Sequence, residues 1–112
     1  MRVHRQWFKH GELRSGCFKN LPDDVADGMS TDWSNYATPE ETRQRTGKTS
    51  LYAVIALPVG QVRQIPEQVV RHAPLPDNRA HTLVFGPKGD KHPRIRLHYL
   101  RIARLVLPLL AE

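Results

Sequence analysis

The segment Pro76-Asp77-Asn78-Arg79-Ala80-His81 concentrates three side chains that can do chemistry. Pro, Asp and Asn in succession make a tight turn, so Asn78, Arg79 and His81 are presented together at the mouth of a strand. Asparagine fixes a turn or hydrogen-bonds a base or sugar. Arginine grips phosphate through two parallel N–H donors. Histidine is the side chain that exchanges protons near neutral pH. Together they fit metal-independent catalysis on RNA or a nucleotide, with His81 as the proton-transfer group and Arg79 as the phosphate clamp. Arg5 or Arg94 would add positive charge. A nucleotidyl- or ADP-ribosyl-type transfer is a variant, using His4 or Arg5 on the first strand and Ser30 on a later one. The same spacing also fits a structural role, in which Asn78 caps the turn and His81 packs with its hydrogen bond satisfied.

A second constellation is basic. Between positions 91 and 104 stand five cations, Lys91, Arg94, Arg96, Arg101 and Arg104, with no anion, and His92 and His98 lie among them. On a helix, Arg94, His98 and Arg101 form one stripe with Arg104 flanking it, while Ile95, Tyr99, Ile102 and Val106 form an apolar one. A phosphate backbone is the polyanion such a face attracts, with little sequence preference and a steep salt dependence. A solvated face or an acidic protein partner fits the same charges. Only Tyr99 interleaves with the basic run, which disfavours a platform for stacking single strands.

Other motifs fail on spacing. Gly47-Lys48-Thr49 ends like a phosphate-binding loop, but Thr42 stands where the first glycine belongs, and the order of helix and strand is reversed. Asp23, Asp24, Asp27 and Gly28 hint at a calcium loop, yet Val25 and Ser34 occupy two ligand positions. A loose magnesium pair, Asp27 with Asp32, is the remnant of that idea. The six histidines (His4, His10, His72, His81, His92 and His98) include no close pair at helical spacing, and there is no Cys-x-x-Cys, so neither a metal nor another cofactor is expected. The single Cys17, between Gly16 and Phe18, reads as a small core residue rather than a nucleophile.

Three stretches carry a resemblance: Asp27-Gly28-Met29-Ser30 continuing to Asp32-Trp33-Ser34, then Leu57-Pro58-Val59-Gly60-Gln61-Val62, and finally Pro74-Leu75-Pro76-Asp77-Asn78-Arg79-Ala80-His81. They resemble short bacterial proteins of no known activity, over residues 28–81. Those proteins usually carry Asn-Pro-Ala-His where this chain has Asn-Arg-Ala-His. The resemblance implies a bacterial or mobile-element origin and supplies no function. Within the first stretch, Ser30 and Ser34 share one side of a strand, and Trp33 stacks on a ring or anchors the core.

The elements that must position these residues are short. Residues 2–8 read as a strand and 13–21 as a second extended piece, followed by turn chemistry at Asn20-Leu21-Pro22-Asp23-Asp24. Residues 28–33 read as a strand or extended loop. Thr38-Pro39-Glu40-Glu41 is a capping box with proline at the first helical position, which predicts a short surface helix over 39–45 ended by Gly47. The apolar run 51–57 predicts a central strand buried on both faces. One helical turn follows at 59–65, then strands at 68–72 and 80–85. Pro93 opens a terminal helix that Pro108 ends or bends. Leu105, Val106, Leu107, Leu109 and Leu110 are too apolar for a free tail, so residues 105–110 pack on the sheet or form a homodimer contact.

The chain has 112 residues, 39% apolar and 25% charged, which fits one α+β domain over 1–112. We expect a mostly antiparallel sheet of about four to six strands, one short surface helix and a basic amphipathic C-terminal helix. Net charge is +6, with +1 in residues 1–50 and +5 in residues 51–112. No membrane-spanning stretch and no secretory h-region is seen, so a cytoplasmic protein is expected. The leading functional expectation is binding of nucleic acid, or another phosphate-rich partner, through Lys91, Arg94, His98, Arg101 and Arg104. Metal-independent RNA or nucleotide chemistry at His81 and Arg79, with Asn78, Ser30 and Arg5 nearby, is the alternative. A module for docking an acidic protein or a second copy is the third.

Overall fold

The computed structural model describes residues 1–19, 28–89 and 91–110. The turn expected at 20–24 and the acidic residues Asp23, Asp24 and Asp27 lie outside them. The fold is α+β and antiparallel throughout, but the single expected sheet is two three-stranded sheets and a hairpin.

The first sheet is built around the apolar run. Strand β1 (Arg2–His4) pairs with β5 (Tyr52–Ala56), Val3 opposite Ala53. The other edge of β5 takes β8 (Arg104–Leu107), with Val106 as an extra, bulged residue between Leu105 and Leu107. Ala53, Val54 and Ile55 are buried, as a central strand requires. The second sheet has the order β4 (Met29–Asp32), β7 (His81–Phe85), β6 (Val69–His72), and Asp32 lies opposite His81. Val3 and Ile55 from the first sheet and Met29 and Val84 from the second share one core cluster with Phe18 and Tyr99.

Two expected strands are mostly something else. After β1 the chain makes a 3₁₀ turn at Arg5–Trp7, because the His4 ring accepts the Gln6 backbone N–H and caps it. Strands β2 (Phe8–Lys9) and β3 (Glu12–Leu13) then form a hairpin across His10 and Gly11. Both have positive φ, 52° and 78°, the geometry of a two-residue type I′ turn. The extended piece expected at 13–21 becomes a 3₁₀ turn at Ser15–Phe18 that drives Phe18 into the core, stacked on Tyr99 at 5.3 Å.

The helices follow local chemistry. Helix α1 (Pro39–Gln44) carries the expected box: Glu41 N–H donates to Thr38 Oγ1, and Thr38 N–H donates to Glu41 Oε1. One turn, α2 (Val59–Val62), follows β5. The terminal helix α3 (Pro93–Ile102) starts at proline as expected but is only ten residues long. Its expected extension through Val106 is wrong. Ala103 is already extended, and residues 104–107 are β8. The open edge of β5 offers that apolar run a ladder of backbone partners, broken only at the Val106 bulge, and this tertiary pairing outweighs helical periodicity. Arg104 and Val106 therefore leave the helix.

Tyr99 anchors α3. Its hydroxyl donates to Gln68 Oε1 at 2.6 Å, and Gln68 Nε2 donates to the Pro87 carbonyl. Gly86 between them has φ +127°, and a Cβ there would collide with the Glu67 carbonyl. No helix among the described residues is long and apolar enough to cross a membrane.

Candidate functional site: a polar recess and a basic helix face

Antiparallel pairing of β4 with β7 puts Asp32 next to the turn that the sequence singles out. Asp32 is a hub. Its Oδ1 accepts from Asn78 Nδ2 at 2.9 Å, and its Oδ2 accepts from Thr42 Oγ1 at 2.7 Å and from the Arg45 guanidinium. Asn78 also holds its own turn, accepting the Ala80 N–H at Oδ1. Burial alone would raise the Asp32 pKa. The hydrogen bonds from Asn78 and Thr42, with the charges of Arg45 and Arg2, outweigh it and hold the carboxyl below its ordinary value. Asp32 is therefore an anion that already has its partners, not a free metal ligand.

Beside this hub is a recess of about 60 Å³ whose lining includes Arg2, Ser30, Asp32, Arg45, Asn78 and His81. Three sequence candidates, Ser30, Asn78 and His81, thus converge. His81 Nδ1 lies 2.9 Å from the Ala73 carbonyl, which can only accept, so Nδ1 carries a proton and Nε2 is the ring nitrogen left for other partners. Arg79 does not join them. Its guanidinium lies over the Tyr36 ring at 4.7 Å, and its carbonyl accepts from His72 Nε2. Trp33, Tyr36 and His72 form the rest of that half-exposed stack, with ring centroids 5.1–5.6 Å apart. The guanidiniums at the recess are Arg2 and Arg45 instead. Arg5 sits in the turn after β1, outside the recess lining.

The basic face is split. Arg94, His98 and Arg101 are exposed on α3 with Leu97, and Lys91 is exposed just before it. Tyr99 is buried, and Ile95, Leu100 and Ile102 pack against the core from the opposite side. Among the described residues, none of these exposed cations pairs with a carboxylate; the one ion pair there is Arg45 with Asp32. Arg104 is also exposed but stands on β8. Leu105, Val106 and Leu110 remain exposed although β8 is paired, so of the stretch 105–110 only the part up to Leu107 joins the sheet, by backbone more than by side chain.

Cys17 packs against the core, and burial pushes its thiol up to about 12, which leaves no thiolate for nucleophilic work. Among the described residues no three His, Cys, Asp or Glu side chains are grouped to hold a metal ion.

Asp32 as a hub, Arg45, and the stack of Trp33, Tyr36 and His72 all escape the sequence reading. The signal that finds them is the strand register, since Asp32 and His81 are separated by 49 positions and meet only when β4 pairs with β7. No family model matches this chain, and no curated protein or solved structure matches it.

Proposed function

We propose that the protein binds nucleic acid, or a comparably phosphate-rich polymer, through the outer face of α3. What carries this reading is the acid-free stripe of Arg94, His98 and Arg101, with Lys91 before it, exposed and unpaired among the described residues. Arg94 and Arg101 are about 10 Å apart along the helix axis, at 1.5 Å per residue. That reach covers about three phosphate steps of one strand, which rise 3.4 Å each. The opposite side of α3 is fixed by Tyr99 and the core, so the stripe is presented on a rigid support. A bacterial, cytoplasmic setting goes with this reading, in line with the segments that resemble short bacterial proteins.

The test is fluorescence anisotropy with labelled single- and double-stranded DNA and RNA over a salt series. With three permanent cations engaged, the log–log slope on duplex DNA is about −2.7, or roughly a 40-fold loss of affinity between about 50 and 200 mM salt. Arg94→Gln with Arg101→Gln leaves one cation, a slope of about −0.9 and a loss of only about fourfold. A slope that the double variant does not change overturns the reading. Absence of binding at low salt overturns it too, and leaves the face to a protein partner or to solvent.

One observation favours a second reading, proton-transfer chemistry on RNA or a nucleotide. His81 donates from Nδ1 to Ala73, which leaves Nε2 as the ring nitrogen available for proton transfer on a ring that lines the recess with Ser30 and two arginines. If a bound probe is cleaved or modified, His81→Gln must abolish that turnover. Turnover that survives this change excludes His81 as the catalyst.

A further inference from the structure

A larger cavity, about 630 Å³, opens between the two three-stranded sheets. Its lining includes Val54 and Ala56 of β5, Val70 of β6, Val84 of β7 and Val62 of α2. It is a cleft open to solvent along the exposed Val59 and Val106, and its volume falls in the range of small-molecule sites. Its charged rim is lopsided. The one carboxylate in the lining, Asp32, is saturated by Asn78, Thr42 and Arg45. The two arginines, Arg63 and Arg104, are exposed and meet no carboxylate among the described residues. Arg104 lies opposite Ala56, the last residue of β5, and Arg63 directly follows α2, the turn into which β5 leads.

We propose that this cavity is a binding site for a small amphipathic anion. The apolar body lies between the sheets, and a carboxylate or phosphate head sits at Arg63 and Arg104. An apolar slot alone would take any greasy molecule; the two unpaired guanidiniums select an anion and fix its direction. This site is separate from the α3 face, since none of Lys91, Arg94, His98 and Arg101 lines it.

The test is calorimetry and amide-shift mapping with decanoate and decyl phosphate, against decan-1-ol and decyltrimethylammonium, all below micelle-forming concentration. Loss of a charge-assisted contact weakens binding roughly tenfold or more, so decanol and the ammonium should bind at least that much more weakly than the anions. Arg63→Gln with Arg104→Gln should bring the anions down to the decanol level and leave decanol unchanged. Ala56→Phe, which fills the slot, should block all of them with an unchanged circular-dichroism spectrum. If that variant misfolds, the arginine pair still decides, because both positions are exposed. Equal affinity for anion and ammonium overturns the proposal. So does an arginine variant that binds decanoate normally, or absence of anion binding up to about 1 mM, which is a very weak −4 kcal/mol.

Discussion

Replacing Asp32 by alanine tests whether the recess is held by its carboxylate. Two of its three partners are poorly placed to find water. Thr42 is buried, and Asn78 is half-buried with its amide oxygen already committed to its own turn. Each charge-assisted bond contributes about 1.5–3 kcal/mol. Taking the low end, since solvent still reaches the carboxylate, the two together contribute about 3 kcal/mol. The Arg45 pair is exposed and screened and adds about 0.5 kcal/mol. Asp32→Ala should therefore cost about 3–4 kcal/mol, a Tm drop of about 12–20 °C at this chain length. Thr42→Val should cost about 1.5 kcal/mol and Arg45→Gln about 0.5 kcal/mol. Urea melts followed by circular dichroism measure all three, with an unchanged m-value as the check that the unfolding transition is the same. Acid gives a second arm. The folded carboxyl titrates below its ordinary 3.8, so the stability it contributes is fully present above that value and is lost as pH falls through the folded pKa. The gap between wild type and Asp32→Ala should be flat from about pH 5 to 7 and shrink below about pH 4. A cost under about 1 kcal/mol, or a gap that persists unchanged to about pH 2, refutes the hub.

Gly86→Ala forces a side chain into a positive-φ position against the Glu67 carbonyl, and should cost more than the ~1 kcal/mol of an ordinary glycine replacement, read from the same melts. Tyr99→Phe removes the donor to Gln68 Oε1 and leaves a buried acceptor, at about 1–3 kcal/mol; a change of a few tenths would mean water takes the hydroxyl's place. Cys17 should resist maleimide or disulfide reagents at about pH 8 until the chain unfolds, because its pKa lies near 12. Labelling at the rate of a free thiol contradicts its burial.

What was legible in the sequence was local. The box at Thr38 and Glu41 needs only three residues to declare itself, and the run 51–57 is apolar enough to be central in any sheet. The hairpin at His10 and Gly11 was hidden because histidine is not the usual first residue of such a turn. The recess was half legible. Asn78 and His81 are neighbours in the chain, so their turn is visible. Asp32, Thr42 and Arg45 come from β4, α1 and the residue after it, and only tertiary packing makes one site of them. Arg79 has the right chemistry for phosphate and the right neighbours in sequence, yet Tyr36 offers it a ring face and takes it away from His81.

Arg104 shows how one misplaced boundary redistributes function. On helical periodicity it extends the basic stripe of α3. The helix stops at Ile102, because residues 104–107 pair with β5 across one bulge whereas a helix running on to Pro108 would lose its last bonds there. That switch moves Arg104 to the rim of the inter-sheet cavity with Arg63. The cations of this half of the chain then serve two surfaces with different demands. The α3 face is the exposed side of a helix and suits a long polyanion, for which charge alone suffices. The cavity has depth and apolar walls, and suits a small molecule that uses charge only to set its direction. Salt separates the two: binding on α3 should fall steeply with ionic strength, whereas binding in the cavity, dominated by apolar burial, should fall little.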